Sequence, residues 1–155
     1  MVIASEEEES RPWKHRARAG EVELLHSKHS VHQIGVHFVW TPKFRHCVLE
    51  GAVEVELRRV IGETCGHYGW RIEAVEIMPD HVHIFLQIDP FTAPAVVAKT
   101  LKSITAIQLF TLFPDLKARR FWGSGLWSRG TYYGSVGQVN EDVIKKYIEE
   151  QKQNG

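Results

Sequence analysis

The chain has 155 residues, 43% apolar and 25% charged, and its 19 basic and 19 acidic side chains cancel to a formal net charge of zero. That composition suits one compact core. It excludes an argument for a nucleic-acid partner from overall charge, so any such contact must use local basic patches.

Cys47 and Cys65 form no C-x-x-C pair, which removes the zinc-finger pattern and the disulfide framework and points to reduced thiols. No apolar run approaches the roughly 18 residues needed to cross a bilayer, and the N-terminus lacks the basic start and apolar centre of a secretion signal. A cytoplasmic protein with no membrane partner is expected.

Residues 1–28 are expected to form a flexible extension, in which the acidic run Glu6 to Glu9 precedes a basic patch at Arg11, Lys14, Arg16 and Arg18. One domain is expected over 29–155. From Val31 the pattern has period two, with Ile34, Val36, Phe38 and Trp40 on one side and Gln33, Gly35, His37 and Val39 on the other. This predicts a first strand, which Pro42 ends. Glu54 to His67 carries Leu57, Val60, Ile61 and Thr64 at helical spacing, with Gly66 and Gly69 as stop signals.

Trp70 to Met78 and His81 to Ile88 read as two antiparallel strands joined by a turn at Pro79 and Asp80. A second helix is predicted from Pro94 to Phe113, through Val97, Leu101, Ile104, Gln108 and Leu112, with Pro114 closing it. A Gly-rich aromatic segment, Trp122 to Trp127, leads into a fourth strand through Tyr132, Tyr133 and Val136. A last helix starts at Asn140, a capping residue followed by Glu141 and Asp142, and runs to about Gln151. The order β-α-β-β-α-β is that of the α+β, ferredoxin-like (RRM-like) antiparallel sheet, here with an extra C-terminal helix.

In the third strand Val82, Ile84, Leu86 and Ile88 take the core face, and His81, His83, Phe85 and Gln87 take the other. Two imidazoles at i and i+2 then project side by side, roughly 6 to 7 Å apart at Cβ, close enough to share one divalent cation. His37 comes near that point if the first strand lies beside the third. Solvent-facing strand histidines are the plain alternative.

On the last helix Tyr147 and Gln151 are four residues apart and share one face. An amide oxygen can complete a metal site made by two histidines, and a phenol beside the metal can act as a phenolate nucleophile. Tyr147 also falls in an apolar stripe with Val143, Ile144 and Ile148, where packing alone accounts for it. Tyr132 and Tyr133 are the competing phenols. Lys43, Arg45 and His46 form a basic cluster after the first strand, and Lys99 and Lys102 recur on one side of the second helix; either group could track phosphates. Trp122, Trp127 and Tyr132 could stack bases, although burial explains a tryptophan more simply.

Over about residues 24–152 the sequence resembles the single-tyrosine HUH transposases of small bacterial and archaeal insertion sequences, including relatives that act on repeated extragenic palindromes. The resemblance is carried by His29 to Gln33, by Val36 to Arg45, by Met78-Pro-Asp-His-Val-His83, by Leu126 to Gly130 and by Val143 to Gln151. It implies that His81, His83 and Gln151 ligate a divalent metal, Mg²⁺ or Mn²⁺, that Asp80 supports the metal site, and that Tyr147 is the nucleophile.

The resemblance further implies a single-stranded DNA hairpin substrate, a 5′-phosphotyrosine intermediate, and a homodimer formed by pairing of the fourth strands. No nucleotide cofactor is expected, in keeping with the lack of a Gly-x-x-x-x-Gly-Lys-Ser/Thr loop. Two rival readings remain open at this point. One is a non-catalytic nucleic-acid-binding module of the same fold; the other is a metal-dependent phosphodiesterase that uses water.

Overall fold

A computed structural model describes residues 25–26, 31–135 and 141–151. The extension, residues 1–28, lies outside the described residues except for a two-residue strand, β1 (Leu25–His26), which pairs antiparallel with β2 (Val31–His32).

The main sheet has four strands, β3 (Ile34–Trp40), β4 (Arg71–Met78), β5 (His81–Ile88) and β6 (Tyr132–Ser135). Their spatial order is β4-β5-β3-β6, and every pairing is antiparallel. Helix α1 (Ala52–Tyr68) connects β3 to β4, and α2 (Pro94–Leu112) connects β5 to β6. Each of these crossovers leaves one strand between the two it joins. The sheet is therefore interleaved as the sequence pattern predicts.

The core forms where the period-two strand faces meet the helical stripes. Val36, Phe38 and Trp40 of β3 and Val82, Ile84, Leu86 and Ile88 of β5 pack with Leu57 and Ile61 of α1 and Val97, Leu101 and Leu109 of α2. Full burial of each such aliphatic or aromatic side chain contributes about 1.5–3 kcal/mol. Helix α1 stops at Gly69, whose φ of 75° is the left-handed cap that glycine adopts without strain. Although α2 is long and apolar enough by length and composition to cross a bilayer, it supplies Val97, Ala98, Leu101 and Leu109 to this core and carries Lys99 and Lys102.

Three details depart from the sequence reading. Pro114 does not simply end α2. It opens a further helix, α3 (Pro114–Arg120), because proline suits the first helical position and the stretch carries Asp115 in its first turn and basic residues in its last. Trp127 is buried and donates its indole N–H to Thr105 Oγ1 at 3.0 Å, whereas Trp122 is 87% exposed, so burial does not account for Trp122. Val39, assigned to the polar side of the first strand, is fully buried.

The second face of the sheet, which carries Val39, is not left open. Helix α4 (Glu141–Glu150) lies over it, with Ile144 and Ile148 beside Glu76, Met78, His81 and His83. Val136 and the capping residue Asn140 lie outside the described residues.

Candidate active site

The hairpin turn between β4 and β5 sets the first half of the site. Pro79 accepts a hydrogen bond from Leu49 N at 3.0 Å, which ties the turn to the segment before α1. Asp80 then sits between two partners: Arg45 Nε is 3.0 Å from Asp80 Oδ2, and His81 Nδ1 is 2.9 Å from Asp80 Oδ1. A carboxylate at Nδ1 fixes the ring proton there and leaves the Nε2 lone pair of His81 available to a ligand. Arg45, grouped at first with possible phosphate contacts, is thus engaged inside the protein. Its left-handed backbone (φ 53°), like that of Phe44 (φ 55°), is part of the 3-10 turn Lys43–Arg45 that aims it at Asp80.

His83 is held differently. In the β3–β5 register Val39 is opposite His83, and His37 is opposite Phe85, so His37 reaches His83 on the diagonal. His37 Nδ1 is 2.9 Å from His83 Nε2, and the His37 ring stacks on Phe85 with centroids 4.3 Å apart. Desolvation pushes the pKa of both histidines down. For His83 the neighbouring His37 and His81 act in the same direction, and Glu76 opposes them. The pair is therefore held neutral, the form in which imidazole donates a lone pair.

The second half of the site comes from α4 and the loop before β6. Tyr147 packs near Tyr132, with ring centroids 5.8 Å apart, and its hydroxyl is buried without a hydrogen-bond partner. Burial, with a smaller push from Tyr133, raises the phenol pKa to about 12. Gln151 lies on the same side of α4. A Cβ placed on Gly130 would be 3.2 Å from Tyr147 Oη and 3.5 Å from Gln151 Oε1, so both oxygens converge on that glycine.

A cleft of about 330 Å³ opens between the halves, lined by Glu76, Met78, His81, His83, Ile144, Lys145 and Ile148. Among the described residues no group of three or more His, Cys, Asp and Glu side chains is placed to hold a metal. A cation at this face needs a donor of another kind, and a side-chain amide supplies one. The imidazoles of His81 and His83, with a buried phenol oxygen that has no hydrogen-bond partner on the helix over them, are a donor set that suits such a cation.

The other sequence candidates separate. Lys99 is exposed, in a groove with Arg129. Lys43 is half-buried, and its backbone N–H donates to Leu126 O at 2.9 Å. Lys102 does not stand free for a phosphate: its ammonium donates to Ser128 O at 2.7 Å, Gly130 O at 3.0 Å and Thr131 Oγ1 at 3.2 Å. Gly130 was missed as a site residue in its own right. The signal available for it was a glycine followed within two residues by an aromatic strand.

Comparison with known proteins gives the family. The family described as "Transposase IS200 like" matches residues 30–151. The ISDra2 transposase TnpA of Deinococcus radiodurans is 33% identical over 130 residues, covering 84% of this chain and 92% of that one. The transposase for insertion sequence element IS200 of Salmonella typhimurium is 29% identical over 119 residues, covering 75% and 78%. A crystal structure of a transposase from Deinococcus radiodurans superposes with a TM-score of 0.73 at 31% identity, covering 81% of this chain and 96% of that one. The matched span runs from β2 to Gln151 and so includes both halves of the site, and on this evidence the chain belongs to the IS200-like transposase family.

Proposed function

We propose that this DNA transposase cleaves and rejoins single-stranded DNA at hairpin-bearing ends, with Tyr147 as nucleophile and with His81, His83 and Gln151 holding a divalent cation, Mg²⁺ or Mn²⁺. The observation that carries the reading is the burial of an unpartnered phenol oxygen beside an amide oxygen, on a helix laid over the imidazoles of His81 and His83. When bound, the cation supplies charge neutralisation at the scissile phosphate.

The residues divide the work. Tyr147 Oη loses its proton and bonds to phosphorus, while the bond from phosphorus to the 3′ oxygen breaks and that oxygen leaves as a hydroxyl. The 5′ phosphate remains on Tyr147 as an ester, so a second 3′-hydroxyl can reverse the step and join strands without a nucleotide cofactor. Asp80, anchored by Arg45, keeps the His81 ring oriented. Lys99 and Arg129 offer exposed charge to the backbone of the bound strand. The proposed dimer uses β6, which is an edge of the sheet.

The test is incubation with a single-stranded DNA hairpin and Mg²⁺ or Mn²⁺, followed by a denaturing gel. A protein-linked oligonucleotide is expected from the wild type and none from Tyr147→Phe. Cutting without any linked product would transfer the reaction to water and make the protein a phosphodiesterase. Binding with no cutting would leave a nucleic-acid-binding module.

A further inference from the structure

Lys102 projects from the core-facing helix α2, carries a charge that the proposed chemistry does not use, and is half-buried. Among the described residues no acidic side chain pairs with it. Its acceptors are Ser128 O, Gly130 O and Thr131 Oγ1, with Arg129 O at 3.5 Å, so one ammonium gathers four consecutive residues of a single loop. Desolvation draws its pKa down to about 8, and the ring of acceptors opposes this by favouring the charged form. The loop is fixed at its start as well. Ser128 N donates to Thr41 O at 2.9 Å, and the Ser128 and Thr41 hydroxyls are 3.1 Å apart.

The centre of this loop is Gly130. Positive φ among the described glycines is confined to Gly51, Gly69 and Gly123, so the backbone at 130 does not itself demand glycine. Space does: a methyl group there would stand 3.2 Å from Tyr147 Oη and 3.5 Å from Gln151 Oε1. The first distance is tighter than ordinary van der Waals contact, and the hydroxyl has no hydrogen bond to tether it elsewhere.

We infer that Gly130 is the seat of the Tyr147 hydroxyl and that Lys102, by pinning residues 128–131, is a positioning residue that sets the height of that seat. This rests on Tyr147 being the nucleophile. Displacement of a reacting atom is costly, on the order of a hundredfold in rate for a 1 Å misplacement, and a methyl at 130 requires the hydroxyl to give way by a few tenths of an ångström. Lys102 acts from the far side of the loop and touches neither phenol nor amide.

The experiment compares wild type, Gly130→Ala, Lys102→Met and Tyr147→Phe for hairpin affinity, for single-turnover adduct formation at saturating DNA, and for thermal stability. Gly130→Ala and Lys102→Met are expected to slow adduct formation by about tenfold or more while hairpin affinity stays within about twofold. Stability gives a second readout that needs no activity. The loss caused by Gly130→Ala should be relieved when Tyr147→Phe removes the opposing oxygen, a coupling that a general loop defect does not produce.

Wild-type adduct rates in Gly130→Ala, or the same stability loss with and without the phenol oxygen, would overturn the seat. A fall in hairpin affinity in Lys102→Met, with a salt slope smaller by about 1, would overturn the positioning role and make Lys102 a phosphate contact. If the wild type forms no adduct at all, the nucleophile assignment fails, while the stability coupling still tests the geometry.

Discussion

His37 Nδ1 and His83 Nε2 face each other at 2.9 Å across β3 and β5, so one proton serves two imidazoles. Both pKa values lie below the usual 6.5, chiefly through desolvation. The unfolded chain then binds protons that the folded chain refuses. Stability contributed by the neutral pair is complete above pH 6.5 and is lost as pH falls from there through the lowered native values. Urea midpoints measured between pH 5 and 8 should show this slope, and His37→Phe should make it shallower. An unchanged slope in the variant would show that the pair does not titrate as a neutral unit.

Asp80 is expected to govern metal affinity without touching the metal. Removing a carboxylate that orients a ligating imidazole typically weakens binding by about 10- to 100-fold. Asp80→Ala should therefore lower Mn²⁺ affinity by that factor, read as free Mn²⁺ by electron paramagnetic resonance, with the circular dichroism spectrum unchanged. Equal affinity in variant and wild type would detach the Arg45, Asp80 and His81 chain from the cation.

The chain has four tyrosines, and one of them, Tyr147, has its pKa pushed up to about 12. In a phenolate absorbance titration of the metal-free protein, one step should come near that value and disappear in Tyr147→Phe. Because the folded value exceeds the usual 10, the phenol's contribution to stability is present below pH 10 and is lost as pH rises towards 12. Bound Mg²⁺ or Mn²⁺ should draw the late step to lower pH. A titration with no late step would place the hydroxyl in water.

Thr105 holds the one hydrogen bond described for the Trp127 indole, at 3.0 Å within the core, beside the segment that leads to Gly130. Thr105→Val keeps the shape and strands a buried N–H, at a cost of about 1–3 kcal/mol. Chemical denaturation measures it. A loss below half a kcal/mol, on the order expected for surface changes, would mean that the indole finds another acceptor.

Much of this architecture was legible because burial imposes a period. Val82, Ile84, Leu86 and Ile88 were readable as the core face of one strand, and the turn at Pro79 and Asp80 as a reversal, from residue types alone. The short helix after Pro114 was not, since proline serves equally as a stop and as a first helical residue. Val39 was read to the right face but not to the right depth. Strand alternation tells which face a side chain takes, but not whether a later helix will cover that face.

In the site, the pairing of His81 with Asp80 follows from adjacency on a strand end. The link from Arg45 to Asp80 depends on two left-handed residues in succession, which composition does not announce. Lys99 and Lys102 looked equivalent on one helix side, yet Lys102 is inward and saturated with carbonyl acceptors while Lys99 is exposed. Helical spacing groups residues within a sector; it does not rank their depth.

Helix α4 has ten residues, and among its described side chains Ile148 is the one that is buried. Seated through Ile148, with Ile144 and Tyr147 half-buried beside it, the segment is expected to detach at a free energy well short of global unfolding. The sheet and its two core helices can outlast the catalytic assembly on warming: catalytic competence should fade while the far-ultraviolet spectrum still reports an intact scaffold, and cooling should restore it without refolding the rest.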